Sequence, residues 1–109
     1  MPARDYNITG STGVDVELLA PGSGVSSINA IMLTNTHATA DATVSLFIQD
    51  NPTSGTTETY YILSTVAIPS DTSLLLDNKN ILSFNNSSTT GYGLYVTVGS
   101  SDTLDILIK

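Results

Sequence analysis

His37 is the one imidazole of the chain, and Asp41 follows it within the stretch IMLTNTHATADATVSLFI. An imidazole with a nearby carboxylate can serve as a base and its orienting acid, as two ligands of a metal, or as two members of a triad. Each use needs more partners. A zinc site takes several convergent ligands, commonly further histidines or thiolates, and the chain has neither a second histidine nor a cysteine. A triad needs a marked nucleophile; serines are plentiful, but no Gly-x-Ser-x-Gly occurs. Asn35, Thr36, Thr39, Ala40 and Asp41 are ordinary loop residues. His37 is therefore expected at the exposed tip of a loop between two strands.

The carboxylates lead to the same expectation. Asp15 and Glu17 alternate with Val14, Val16 and Leu18, so both belong to the solvated side of one strand. Acid–base work would require one of them to be buried with a raised pKa. Asp102 and Asp105 flank a turn and lack the spacing of a calcium loop; a calcium site assembled from separate loops remains open. Asn7-Ile8-Thr9, Asn85-Asn86-Ser87 and Asn86-Ser87-Ser88 fit the glycosylation sequon, which arises readily in a chain this rich in Asn, Ser and Thr. Gly91 and Gly93 open a strand rather than a helix, so they offer no helix N-terminus to a phosphate. No catalytic residue, metal site or cofactor is expected, and the chain reads as a non-enzyme.

Charge narrows the partners. Three cations, Arg4, Lys79 and Lys109, face ten carboxylates, for a net charge of −7. So few cations cannot neutralise a run of phosphates, so nucleic acid is not an expected partner. Anionic membrane surfaces are disfavoured for the same reason. MPARDYNITG has no apolar segment of the secretory kind, and no apolar run reaches the roughly 20 residues of a spanning helix.

The elements that hold these residues are strands. Thr, Ser and Asn dominate and strong helix formers are scarce, a composition that favours strands and turns. Period-2 alternation recurs in GVDVELL, Val25–Thr34, Thr43–Gln49, Glu58–Ile68, Thr72–Leu76, Ile81–Phe84, GYGLYVTV and TLDILIK. Turn signals separate these runs: Pro21-Gly22, Asp50 to Gly55, Pro69, Asp77 to Asn80, Asn85 to Thr90 and Gly99 to Asp102. About eight strands in 109 residues predict an all-β protein, a single antiparallel β-sandwich of jelly-roll or immunoglobulin-like order. Residues 1–10 are expected to form an N-terminal arm and 11–109 the sandwich domain, with the last strand running to the final residue.

The informative residues are large apolar side chains that alternation assigns to the outside. Val44, Leu46 and Ile48 point inward, which leaves Phe47 outward. Tyr61 and Leu63 lie opposite Tyr60, Ile62, Val66 and Ile68. Met32 lies opposite Ile31 and Leu33, Leu75 opposite Leu74 and Leu76, and Leu107 opposite Leu104, Ile106 and Ile108. Such residues mark a partner surface when they cluster and mean little when scattered. Met32, Phe47, Tyr61, Leu63, Leu75 and Leu107 are accordingly the candidate protein-interface residues. Outward Tyr61 and Tyr95 offer a second use, stacking on sugar rings.

The run ILSTVAIPSDTSLLLDNKNILSF combines a strand, an Ile-Pro-Ser-Asp turn, a leucine strand, a polar turn and a further strand. With AIMLTNTHATADATVSLFIQD upstream, it resembles small virion structural proteins of tailed bacteriophages, especially those of marine cyanobacteria. The resemblance covers Ile28 to Phe84. Where members often place a Gly-Asp turn after the last leucine strand, this chain has Asn85-Asn86-Ser87-Ser88. The resemblance implies a β-sandwich module of the virion, assembled in the host cytoplasm. As a capsid decoration or cement protein it would bind the major capsid protein and copies of itself, with the arm Met1–Thr9 or a sheet edge available for strand addition. A neck, tail or fibre module binding a receptor or carbohydrate is the alternative.

Overall fold

The computed structural model describes residues 4–11, 14–25 and 28–109. They contain eight strands: β1 (Arg4–Thr9), β2 (Asp15–Leu19), β3 (Ile31–Asn35), β4 (Ala42–Asp50), β5 (Thr59–Ile68), β6 (Ser73–Leu76), β7 (Tyr92–Val98) and β8 (Thr103–Ile108). The first sheet has the order β1-β8-β3-β6 and the second β2-β7-β4-β5, and the paired strands are antiparallel throughout. Every connection crosses from one sheet to the other except the β4–β5 hairpin. The rungs β1·β8, β2·β7, β3·β6 and β4·β5 nest inside one another, as in a long antiparallel ribbon rolled over on itself. This order is a jelly roll. An immunoglobulin-like sandwich would instead seat its first two strands side by side in one sheet.

The inner faces supply the core. Ile31 and Leu33 of β3, Leu46 of β4, Leu94 and Val96 of β7, and Leu104, Ile106 and Ile108 of β8 are fully buried. They sit at alternate positions within β3 and β8, the pattern of strands with one buried face. Two bulges alter the pattern elsewhere. In β2 the register shifts between Glu17, opposite Tyr95, and Leu19, opposite Leu94, so Leu18 and Leu19 are both buried. In β5 the pairing moves from Phe47↔Tyr61 to Leu46↔Leu63 and then to Val44↔Val66. The extra residues lie at Ile62 and at Ser64-Thr65, and Thr65 has φ 53°. Each extra residue reverses the side to which the following side chains point.

Three expectations are corrected by this arrangement. Arg4–Thr9 is a paired strand rather than an arm, because Tyr6 and Ile8 alternate onto the core side and the backbone pairs with β8 from Arg4↔Ile108 to Thr9↔Thr103. The tyrosine hydroxyl of Tyr6 also donates to the Leu18 carbonyl, tying the two edge strands β1 and β2 together. Met1–Ala3, the start of the expected arm, lie outside the described residues. Ile81–Phe84 is not a strand: the amides of Ile81 and Leu82 both donate to the Asn78 carbonyl, closing a turn that drops Leu82 into the core. The extended run from Val25 narrows to Ile31–Asn35, and its positions 26–27 lie outside the described residues.

Short connections gather at one end of the sandwich and long ones at the other, and a buried asparagine pins each end. At the short end Asn35 Nδ2 donates to the carbonyls of Ala40 (2.9 Å) and Ile68 (3.0 Å), while its Oδ1 accepts from the His37 amide at 3.0 Å. At the long end Asn86 Nδ2 donates to Ala20 O (2.9 Å) and Tyr92 O (2.8 Å), and its Oδ1 accepts from Val25 N at 3.0 Å. Both Nδ2 protons of each amide are engaged, and burial bars Asn86 from acting as a glycan acceptor. Replacing either by alanine strands buried backbone groups without partners. Asn35→Ala or Asn86→Ala is expected to lower stability by about 2–4 kcal/mol, whereas Asn85→Ala on the exposed neighbour costs less than about 1 kcal/mol. Urea unfolding midpoints at unchanged slope check all three.

Candidate functional site

Several of the groups that first suggested chemistry make local hydrogen bonds. His37 is exposed, and its Nδ1 accepts from the amides of Thr39 and Ala40, both at 3.1 Å, so the imidazole caps its own loop. Asp15 accepts from the Thr97 hydroxyl at 2.7 Å, Asp50 from the Glu58 amide at 2.7 Å, Asp102 from the Thr43 amide at 3.1 Å, and Asp105 from Asn7 Nδ2 at 2.6 Å. Among the described residues, no group of three or more His, Asp and Glu side chains is placed to hold a metal ion.

Register brings the outward apolar residues together. On the first sheet Leu107 of β8 lies opposite Met32 of β3, and Met32 opposite Leu75 of β6, with Asp5 of β1 beyond Leu107. Met32, Leu75 and Leu107 thus form one apolar row running across the strands, and Leu75 is 56% exposed. The next row is polar from edge to edge: Asn7, Asp105, Thr34 and Ser73, with a 2.7 Å bond between the Thr34 and Ser73 hydroxyls. Two shallow depressions flank the apolar row. One is lined by Asp5, Asn7, Thr34 and Asp105 beside Met32 and Leu107. The other is lined by Ala30 and Lys109 beside Met32, Leu75 and Leu107. Leu75 also continues into a groove on the β5–β6 side with Ile62, Leu82 and Ile81, and Ile81 is 59% exposed.

The second sheet carries an aromatic row. Tyr61, Phe47, Tyr95 and Glu17 are cross-strand neighbours from β5 to β2. The Phe47 ring lies 5.2 Å from Tyr61 and 5.8 Å from Tyr95, centroid to centroid, within the range of favourable aromatic pairs. Phe47 stands outside the core cluster, as alternation expects, yet only 3% of it is exposed. The flanking tyrosines cover it, so the surface offered is Tyr61, 58% exposed, and Tyr95. The Tyr95 hydroxyl extends over Gly93, where a Cβ would meet it at 2.9 Å and the Leu19 carbonyl at 2.6 Å; this close approach requires glycine. Gln49 Nε2 donates to the Thr59 hydroxyl at 3.0 Å in the adjoining row.

Of the six expected interface residues, five fall in these two rows on opposite sides of the sandwich. Leu63 is the correction: the β5 bulge sets it opposite Leu46, packed against the core. Lys109, Asp105 and Asp5 belong to the surface around the first row and were not among the expected interface residues. Their neighbours come from other strands, and only the register supplies them.

No protein-family model matches the chain, and no curated protein matches it. Two solved structures match in part, both of infectious bursal disease virus. A chain of the Gx strain structure aligns with 99% of this chain at 12% identity and TM-score 0.47. A chain of the T13 viral particle aligns with 97% at 15% identity and TM-score 0.43. This chain spans 33% and 30% of their lengths respectively. The jelly-roll assignment rests on strand order and needs neither of them.

Two phenols in these surroundings hold their protons more tightly than a free tyrosine. Burial, and then the Glu17 carboxylate, raise the pKa of Tyr95. The hydrogen bond to Glu58 at 2.8 Å, and then the charge of Glu58, raise that of exposed Tyr60. For Tyr95 the favourable contribution to folding is complete below the ordinary tyrosine value of 10.0 and disappears as pH rises through the higher folded value. Ultraviolet titration is expected to show both phenols ionising late. Glu58→Gln should return most of the Tyr60 shift, while Glu17→Gln should return the smaller part of the Tyr95 shift, since burial is its first cause.

Proposed function

We propose that the protein is a non-enzymatic virion structural module that decorates the capsid of a tailed bacteriophage, binding the major capsid protein and copies of itself. The observation that carries this reading is the gathering of outward apolar residues into rows. Met32, Leu75 and Leu107 come from three strands, and Tyr61, Phe47 and Tyr95 from three others. Scattered apolar residues would carry no weight, but contiguous rows on both outer faces give one module two surfaces to bury. The likeness of Ile28–Phe84 to phage virion proteins supports the virion setting, and jelly rolls occur among viral capsid domains. The mechanism is burial of these rows between neighbours, with many modest contacts summed over a repetitive particle.

A second reading draws on the aromatic row, where exposed Tyr61 and half-buried Tyr95 lie near the Gln49–Thr59 pair and Glu17. Flat rings beside hydrogen-bonding side chains suit a sugar ring, as in a fibre module that binds carbohydrate.

Quantitative mass spectrometry of purified particles distinguishes the two. Decoration is expected to give copy numbers that scale with the capsomers, and Tyr61→Ala should lower the occupancy. A copy number limited to a single ring or fibre, together with binding on a glycan array that Tyr61→Ala abolishes, would favour the second reading. Absence from the particle overturns the virion assignment.

A further inference from the structure

The outward residues of β8 and its extension read Asp105, Leu107, Lys109: anion, apolar, cation. Around them lie the two depressions of the first sheet, one walled by Asp5 and Asp105, the other by Lys109. The apolar row Leu107–Met32–Leu75 runs between them. We propose that this face is a two-fold interface between two copies of the chain, in which the partner's Lys109 enters the acidic depression lined by Asp5, Asn7, Thr34 and Asp105.

Charge order is what selects a second copy as the occupant. A two-fold axis lying along the apolar row turns the partner's strands end for end. It sets Leu107, Met32 and Leu75 each against its own counterpart and places the partner's Lys109 over Asp105, twice by symmetry. The apolar row is thereby buried and both depressions are filled, the wider acidic one by a flexible four-carbon stem ending in an ammonium. Two chains of net charge −7 repel across any face that lacks a cation; here one of only three stands beside the row. The Asp5 carboxylates approach one another at the rim, and each lies within the depression that the partner's Lys109 enters. This inference rests on the reading of the outer faces as contact surfaces, and it specifies which of them the chain uses for itself.

Sedimentation equilibrium on the full chain tests it. The wild type is expected to form dimers; Lys109→Glu and Asp105→Lys should each weaken dimerisation by at least about tenfold, and the double charge swap should recover it to within about threefold. Met32→Glu, set on the axis, should abolish it. Circular dichroism establishes that each variant is folded, and Lys109→Glu alone decides the matter if loss of the Asn7–Asp105 bond unfolds Asp105→Lys. A protein that stays monomeric at its highest soluble concentration, an unchanged dimer in Lys109→Glu, or a double swap as weak as the single variants overturns the proposal. A monomer present on particles would leave the virion reading standing without this interface. A dimer absent from particles would do the reverse.

Discussion

β8 takes β1 on one side and β3 on the other, and the roll depends on that placement. Leu104, Ile106 and Ile108 are fully buried from this strand, and its backbone joins the beginning of the chain to its interior. Without β8, β1 has no neighbour in its sheet and β3 keeps only the short β6. The pairing also closes a loop of nearly the whole chain, so much of the entropy of ordering is spent before the last rung forms. A topology built from such distant pairings is expected to fold slowly for its size.

The sandwich divides its polar groups from its apolar ones by task. Carboxylates and amides that look reactive in the bare sequence serve as local fasteners. Asp102 holds the start of β4, Asp50 the start of β5, and Asn35 and Asn86 close opposite ends. In these four the partners are backbone amides and carbonyls, so each side chain fixes a strand start or a turn. What remains uncommitted is surface, and its character changes from row to row: hydroxyl and amide in one, methyl and thioether in the next, aromatic on the far side.

Much of this is legible in the sequence. Period-2 alternation yields the all-β class and most strands, and it places Met32, Phe47, Leu75 and Leu107 on outer faces because their own strands carry no extra residue there, the bulge beside Phe47 belonging to β5. It fails where the backbone departs from period two. The bulge at Ile62 turns Leu63 inward, and the one in β2 buries both Leu18 and Leu19. It also fails at Ile81–Phe84, where the Asn78 carbonyl closes a turn through a run apolar enough to pass for a strand. Arg4–Thr9 escapes it although Tyr6 and Ile8 alternate, because two inward residues among charged and polar neighbours make a faint signal. The rows themselves cannot be read: each joins residues from strands far apart in sequence, and strand order, not alternation, decides who meets whom.

The β1–β8 pair has a mechanical consequence. Arg4 lies opposite Ile108, so the outer ends of both strands leave the first sheet at the same end of the sandwich. A load drawn across those two ends would pull perpendicular to the strands, along the direction of the hydrogen bonds between them. The bonds would then break in succession, like a zipper, instead of sharing the force in shear. A module attached to its surroundings through those ends would yield to a small tension. One held by its broad faces would carry the strain across both sheets at once.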